Sequence, residues 1–552
     1  MNAKQIIAKS GFKGEIEDNQ DILEQYSHDA SMFEIIPDLV VSPISSEDIQ
    51  TLVRAVKDNK SSNPDLSLTA RSGGTDMAGG AINDSIIVDF TKHLSKIGQI
   101  SANSGNTQPG VYYRDFEKAT LKHGLLMPAY PASKDLCTVG GIVANNAGGE
   151  KSLEFGKTDK FIHELRVVFA DGNEYRVKAL NKQELDKKIA QNDYEGNIYK
   201  NVYNLVENNY DAIKKAKPNV SKNSMGYNLW NVWDRETEVF DLTQLIVGSE
   251  GTLGFVTDIS FKLVKAPKHS GTLVMFLRDI GDLGQLIKDV MTHKPATFEG
   301  FDNYTLMLSV KLFFFFHKRL GWVETIRLGL QLLPSALKLF RGLPKMVLLI
   351  EFAGDSPEDI AKKVHQMRLD LQKKGYGHES VFEEDETEMK EKKFWIMRRE
   401  SFSLLRQKVK DKHTAPFIDD LVVNPEHLPE FLPKLRVIIK KYGLLATVAG
   451  HMGDGNFHII PLMKLEEPSE RRKLLPCMQE VNELILSYGG SLSGEHNDGL
   501  VRGPWLKDQF GEEILKLFKE TKDIFDPNHI FNPHKKANST WEYSQKHIRA
   551  SF

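Results

Sequence analysis

Three glycine-rich stretches, all in the first half of the chain, limit what it can fold into. The first reads Arg71-Ser72-Gly73-Gly74-Thr75-Asp76-Met77-Ala78-Gly79-Gly80 and lies between two β-rich runs, 66–70 and 85–89. Glycine has no Cβ, so consecutive glycines let backbone N–H groups approach a ligand and cradle a diphosphate. The spacing is not the G-x-G-x-x-G that opens a helix in a dinucleotide fold, and no Gly-Lys-Ser/Thr ends it as in a P-loop. The second stretch follows Pro131-Ala132-Ser133 and reads Thr138-Val139-Gly140-Gly141-Ile142-Val143-Ala144-Asn145-Asn146-Ala147-Gly148-Gly149. The third is Gly248-Ser249-Glu250-Gly251-Thr252-Leu253-Gly254-Phe255-Val256, leading into a strand. One such loop alone is equally a tight structural turn. Three imply a long, flat ligand touched by backbone at many points.

The segments between these loops alternate in type. Ser45 and Ser46 offer N-caps, with Glu47 and Asp48 in the first turn, and Ile49, Leu52, Val53 and Val56 follow at helical spacing. Residues 112–123 read as a helix that Gly124 ends. Residues 165–170 and 174–177 flank Asp171-Gly172, a hairpin signal. This predicts an α+β domain up to Lys265, closed by Ala266-Pro267. Runs 272–277 and 347–352 predict further strands.

With 552 residues the chain can build a sizeable core without staples. Its net charge of −3 excludes a chain that is electrostatically a nucleic-acid binder as a whole. Two cysteines, Cys137 and Cys477, exclude a disulfide scaffold, a cysteine-held iron–sulfur cluster and a cysteine zinc site. The first residues carry no apolar core of a signal peptide, and no run of 18 apolar residues occurs, so neither a secretory leader nor a spanning helix is expected. A cytoplasmic location is expected. Residues 305–345 stand out: Phe313, Phe314, Phe315 and Phe316 in a row, Trp322, and seven basic side chains against Glu324 alone, a balance of +6. Such a stretch is either buried core helices or a basic amphipathic surface that lies on the inner face of the cell membrane.

The second half carries a different chemistry. Residues 444–463 place His451 and His458 on either side of Asp454-Gly455, a hairpin that can bring two imidazoles alongside each other and so suits one divalent metal, although the pair alone reads more simply as two polar residues at a turn. Glu495-His496, after Gly494, adds a third ligand and a base.

The glycine stretches resemble the FAD-binding domain of the FAD-linked oxidases, the vanillyl-alcohol-oxidase or PCMH-type superfamily, over residues 35–266. The run from His451 to His458, Gly494-Glu495-His496 and the final Phe525-Asp526-Pro527-Asn528-His529-Ile530-Phe531-Asn532-Pro533 resemble its FAD-dependent D-2-hydroxyacid dehydrogenases. The resemblance implies an N-terminal segment, 1–34; a two-part FAD domain, 35–266; an α+β substrate (cap) domain with an antiparallel sheet, 267–500, carrying the insert 305–345; and a C-terminal segment, 501–552, returning to the FAD domain. It implies cofactor contacts from Arg71, Ser72, Gly73, Gly74, Thr75, Asp76, Pro131, Ser133, Thr138, Gly141, Asn145, Ala147, Gly148, Gly149, Glu250, Gly251, Val256 and Asn532. Thr75 stands where some members carry the His that bonds flavin, so the FAD is expected to be non-covalent. His451, His458 and Glu495 are implied as ligands of Zn, Mn or Fe, His496 as the base, and Arg398, with Arg399 beside it, as the carboxylate anchor. The implied reaction oxidises a D-2-hydroxy acid and passes electrons to a quinone, a cytochrome or an electron-transfer flavoprotein; the alternative is the same fold acting on D-2-hydroxyglutarate, glycolate or a lipid-like substrate, as in an alkylglycerone-phosphate-type synthase. Two departures matter. Relatives continue Glu-His-Gly-x-Gly where this chain has Glu495-His496-Asn497-Asp498-Gly499. The 2-hydroxyglutarate enzymes carry a Lys shortly before an Asp-Leu, whereas here Pro416-Phe417-Ile418-Asp419-Asp420-Leu421 has none, which tilts the substrate toward D-lactate or a similar monocarboxylate.

Overall fold

The computed structural model describes residues 1–303, 305–307, 321–323, 325–326, 344–376, 380–385, 395 and 412–550. Most of the insert, together with Arg398 and Arg399, lies outside the described residues.

The chain first builds a small, mostly parallel sheet. Strand Leu39–Ser42 pairs in parallel with Ile86–Asp89, which pairs in parallel with Leu68–Arg71, while Glu15–Glu17 adds an antiparallel edge. A parallel pair needs a crossover. Helix Ser46–Asn59 supplies it, with Ser45 Oγ accepting from Asp48 N and Ile49, Leu52, Val53 and Val56 buried against the sheet. The helical spacing in the sequence is therefore the buried stripe. A second sheet of seven antiparallel strands runs from Trp233–Asp234 through Val239–Asp241, Glu174–Asn181, Ile162–Val168, Phe255–Lys262 and Ser104–Thr107 to Ile97–Ile100. Ile162–Val168 and Glu174–Asn181 form the expected hairpin, and Gly172 turns it at φ +85°.

A third, antiparallel sheet of eight strands dominates the second half, in the order Ser380–Asp385, His269–Leu277, Met346–Gly354, Thr297–Asp302, Leu445–His451, Asn456–Met463 and His413–Thr414, with Leu421–Val422 also on Asn456–Met463. Mixed helices with two predominantly antiparallel sheets make this an α+β molecule. After helix Leu506–Phe525 the chain returns to the first sheet: Phe531 bridges Leu68 in parallel, Leu68 N donates to Ile530 O (2.8 Å), and Asn532 N donates to Leu68 O (2.9 Å). Ile530 and Phe531 thus join the apolar core under that sheet.

Candidate functional site

The glycine loops fold against each other. Gly73 comes so close to the second loop that a Cβ there would lie 2.4 Å from the Leu136 carbonyl oxygen. Gly74 turns at φ +65°, a conformation that favours glycine. Ser72 Oγ and Thr138 Oγ1 hydrogen-bond across the loops, and Asn145 Nδ2 donates to Asp76 Oδ1 at 3.1 Å. Asp76 Oδ2 in turn accepts from Gly80 N at 2.6 Å, which closes the first loop on itself. The third loop enters through Glu250, whose carboxylate accepts from Gly499 N at 2.9 Å.

Between the loops opens a cavity of about 1200 Å³. Arg71, Ser72, Gly73, Gly74, Thr75, Asp76, Pro131, Ser133, Thr138, Gly141, Asn145, Ala147, Glu250, Gly251 and Val256 line it. Gly148, Gly149 and Asn532 do not. Gly149 is packed where a Cβ would meet Tyr130 O at 2.2 Å. Asn532 sits behind the loops and joins them: its Nδ2 donates to Gly80 O (2.8 Å) and Glu250 O (2.7 Å).

The far end of the same cavity is lined by His451, His458, Glu495 and His496. The hairpin of strands Leu445–His451 and Asn456–Met463 positions the first two, with Gly455 turning it at φ +63°. His451 Nε2 lies 3.2 Å and His458 Nε2 3.3 Å from one atom, Glu495 Oε1. The distal nitrogens face buried carboxylates. His451 Nδ1 pairs with Glu299, on the neighbouring strand, and His458 Nδ1 lies 3.4 Å from Asp419 Oδ1. His496 Nδ1 lies 2.8 Å from the other oxygen of Asp419, and the His458 and His496 rings stack at 5.0 Å. The two His–Asp419 contacts have ion-pair distances but not the angles of hydrogen bonds. Lys222 closes the cluster from below, 3.3 Å from Glu495 Oε2 and 3.2 Å from Asp454 Oδ2.

These neighbours set the charges. Burial works against an imidazolium at His458, yet Asp419 and Glu495 lift it to about 10. Burial likewise opposes charge at His451 and His496, and Glu299 for the first and Asp420 with Asp419 for the second raise both. Burial disfavours the Glu495 carboxylate, but Lys222 and His451 hold it well below the usual carboxylate range.

Two imidazoles converge on one carboxylate oxygen, and each is backed by a carboxylate on its other nitrogen, which are the donor types a divalent cation takes. Ligand atoms of Asp420, His458, Glu495 and His496 also lie within 4.8 Å of one another. Asp420, however, is already engaged. Its Oδ2 accepts from Ser493 Oγ (2.6 Å), Glu495 N (2.9 Å) and His496 N (2.7 Å), and its Oδ1 from Asn456 Nδ2 (3.0 Å). Asp420 therefore shapes the loop that presents Glu495 and His496, while His451 and His458 both face Glu495 Oε1.

Sequence reasoning missed Lys222, Glu299, Asp419 and Lys157. Glu299 and Asp419 did carry a signal, since each is an acid within an apolar run. Lys222 and Lys157 carried none. Lys157 donates to Asn223 O (2.7 Å), Ser224 Oγ (2.5 Å) and Gly494 O (2.9 Å), and burial pulls it down to about 8.

Comparison with known proteins agrees in both halves. Residues 37–178 match the model of an FAD binding domain, and residues 266–536 that of the C-terminal domain of FAD linked oxidases. The chain is similar to a D-2-hydroxyglutarate dehydrogenase of Pseudomonas putida, 26% identical over 96% of this chain and 51% of the relative. It is also similar to a D-lactate dehydrogenase of Anaerostipes hadrus, 26% identical over 93% of each chain. It thus spans about half the length of the first curated relatives it matches. Its fold is that of the 4-ethylphenol oxidase from Gulosibacter chungangensis, with a TM-score of 0.66 at 14% identity over 98% of this chain and 97% of that one. Two family models matched in chain order, on either side of one cavity, identify the chain as one that belongs to the FAD-linked oxidases.

Proposed function

We propose that this chain is an FAD-dependent dehydrogenase that oxidises a D-2-hydroxy acid, D-lactate in the first instance, to the 2-oxo acid. One observation carries the reading: a single cavity runs from the glycine loops to the buried imidazole–carboxylate cluster. The loops suit a non-covalent FAD, because glycine backbone approaches at Gly73 and Gly74 and Thr75 offers no imidazole for a bond to flavin. The cluster suits a divalent metal held by His451, His458 and Glu495. When bound, FAD supplies the hydride acceptor and the metal a Lewis acid that acidifies the substrate hydroxyl.

The chain's own side chains do the rest. His496 takes the hydroxyl proton at Nε2, with Nδ1 held toward Asp419. Asp419 also faces His458, so one carboxylate orients both the base and a ligand. Arg398, or Arg399 beside it, anchors the substrate carboxylate by a charge-assisted pair. The units are taken as 1–34, 35–266, 267–500 and 501–552.

Electrons leave to a quinone, a cytochrome or an electron-transfer flavoprotein. Among the described residues no helix is long and apolar enough to cross a membrane. The exposed Trp322, Val323 and Ile326 of the basic insert support peripheral contact with the inner face of the cell membrane by a protein of the cytoplasm.

An anaerobic visible spectrum tests the reading. The flavin band near ~450 nm is expected to bleach with one D-2-hydroxy acid and recover with a quinone analogue, since the flavin carries the redox step. A band that D-lactate, glycolate and D-2-hydroxyglutarate all leave intact would remove the hydroxy-acid assignment and keep the cofactor.

A further inference from the structure

His496 is fixed from the cluster side: its backbone N donates to Asp420 Oδ2 (2.7 Å) and its Nδ1 lies 2.8 Å from Asp419 Oδ2. The strip that follows it, 497–500, is fixed from the other end of the cavity. Asn497 Nδ2 donates to Gly248 O (2.9 Å), in the third glycine loop, and to Asn145 O (3.3 Å), in the second. Gly499 N donates to the Glu250 carboxylate (2.9 Å), and Leu500 N donates to Ala78 O (2.7 Å), in the first loop. All three glycine loops therefore bond to four consecutive residues that begin one position after His496.

Asn497 is also where the sequence departs from Glu-His-Gly-x-Gly. Its φ is +69°, a left-handed conformation that glycine and asparagine adopt at least cost. Glycine would satisfy that backbone and offer no side chain. Asn497 is fully buried, and a primary amide has two N–H donors and two lone pairs to satisfy. All four are used. The donors go to the two loop carbonyls, and Oδ1 accepts from Asp498 N (2.9 Å) and from Lys536 Nζ. Lys536 is itself buried and held by Asp498 Oδ2 (3.0 Å) and Gly226 O (2.9 Å). The amide is thus oriented by an ammonium on one side and by loop backbone on the other. Asn145, one of its two partners, lines the cavity beside the loops.

We propose that Asn497 is a positioning residue: its amide registers His496 on the second and third glycine loops, so that the group taking the hydroxyl proton and the cofactor taking the C2 hydride are held on one substrate molecule. This rests on the reading of the site as a hydroxy-acid dehydrogenase and adds a residue to it. The side chain touches neither substrate nor cofactor in this role. It acts through the backbone it shares with His496.

The test separates placement from folding. N497G suits the backbone conformation and removes all four side-chain bonds. N497D keeps the shape and the contact with Lys536 and loses both donors. Flavin reduction is followed anaerobically on the flavin- and metal-loaded enzyme, with whichever of D-lactate, glycolate and D-2-hydroxyglutarate reduces the wild type fastest. Both variants are expected to lower the limiting rate by about 10²-fold, the cost of misplacing a reacting group by about 1 Å. The substrate concentration at half-saturation should stay at the wild-type value, and so should the FAD dissociation constant, titrated into the apoprotein. A wild-type limiting rate in either variant overturns the inference and leaves the dehydrogenase reading in place. So does a rate loss matched fold for fold by weaker FAD binding, which would make Asn497 a clamp on the loops. Wild-type flavin that none of the three acids reduces overturns that reading, and the inference with it.

Discussion

The two ends of the cavity are built on opposite plans. The glycine-loop end is made of backbone: three short stretches, each continuous in sequence, with glycine where chains meet at Gly73 and where one must turn at Gly74. The cluster end is made of side chains from distant elements, Lys222, Glu299, Asp419, His451, His458, Glu495 and His496, held in place by one another's charge. A backbone site tolerates the loss of a single side chain. A charge cluster does not, because each buried group is the counter-ion of its neighbour.

The sharpest break in this contrast is at His496. In H496N the rate of flavin reduction is expected to fall roughly 10² to 10⁴-fold, the span for a lost general base, while the flavin-to-protein absorbance ratio stays at the wild-type value. Loss of flavin together with rate would mean that the two ends are not separable. Next comes Lys222, which is 2% exposed between Glu495 and Asp454. Lys222→Met removes the ammonium shared by two buried carboxylates, leaving Glu495 only its imidazole partners, and is expected to cost about 3–5 kcal/mol by denaturant unfolding. A midpoint equal to wild type would show that the cluster does not depend on that charge.

How far each end was legible in the sequence follows from the same contrast. The loop end could be read because its information is local: Arg71 to Asp76, Thr138 to Ala147 and Glu250 to Val256 carry both the geometry and the motif. The α+β class was equally legible from local periodicity, as in Ile49, Leu52, Val53 and Val56. At the cluster end, the hairpin with Asp454-Gly455 was local, so His451 and His458 could be paired in advance. Glu299 could not be placed, because its partner His451 comes from strand pairing across 152 positions. Asp419 was noticed only for the lysine missing beside it. Its role facing two imidazoles depends on the segment 416–423 lying against strand Asn456–Met463. Asn532 was placed on the flavin by resemblance; its amide joins Gly80 O to Glu250 O, and it is not among the residues that line the cavity.

That position of Asn532 gives a smaller effect from the backbone end. Its amide joins Gly80 O to Glu250 O, at a residue whose own φ is +40°. N532A removes both donors and strands two buried carbonyls, with an expected loss of about 1–3 kcal/mol. Because the two carbonyls belong to different glycine loops, flavin affinity should weaken in parallel, measured by titrating the apoprotein with FAD. Unfolding cost without weaker FAD binding would make Asn532 a clamp on the fold alone.

The last expected effect is a pH slope next to that clamp, confined to the alkaline side. Lys535 is buried, its Nζ donating to Ile82 O at 3.1 Å, and burial pulls its pKa from 10.5 down to about 8, with Glu250 and Asp29 partly opposing. The folded state therefore releases this proton near pH 8, and the unfolded state keeps it until near 10.5. Between those values the unfolded chain binds more protons, so stability attributable to this group rises with pH and is lowest below the folded pKa. Lys535→Met should remove that rise, seen as a flatter stability-versus-pH curve on the alkaline side in matched urea titrations. An identical slope in both proteins would mean that Glu250 and Asp29 neutralise the ammonium fully. The backbone end of the cavity would then depend on paired charge just as the cluster does.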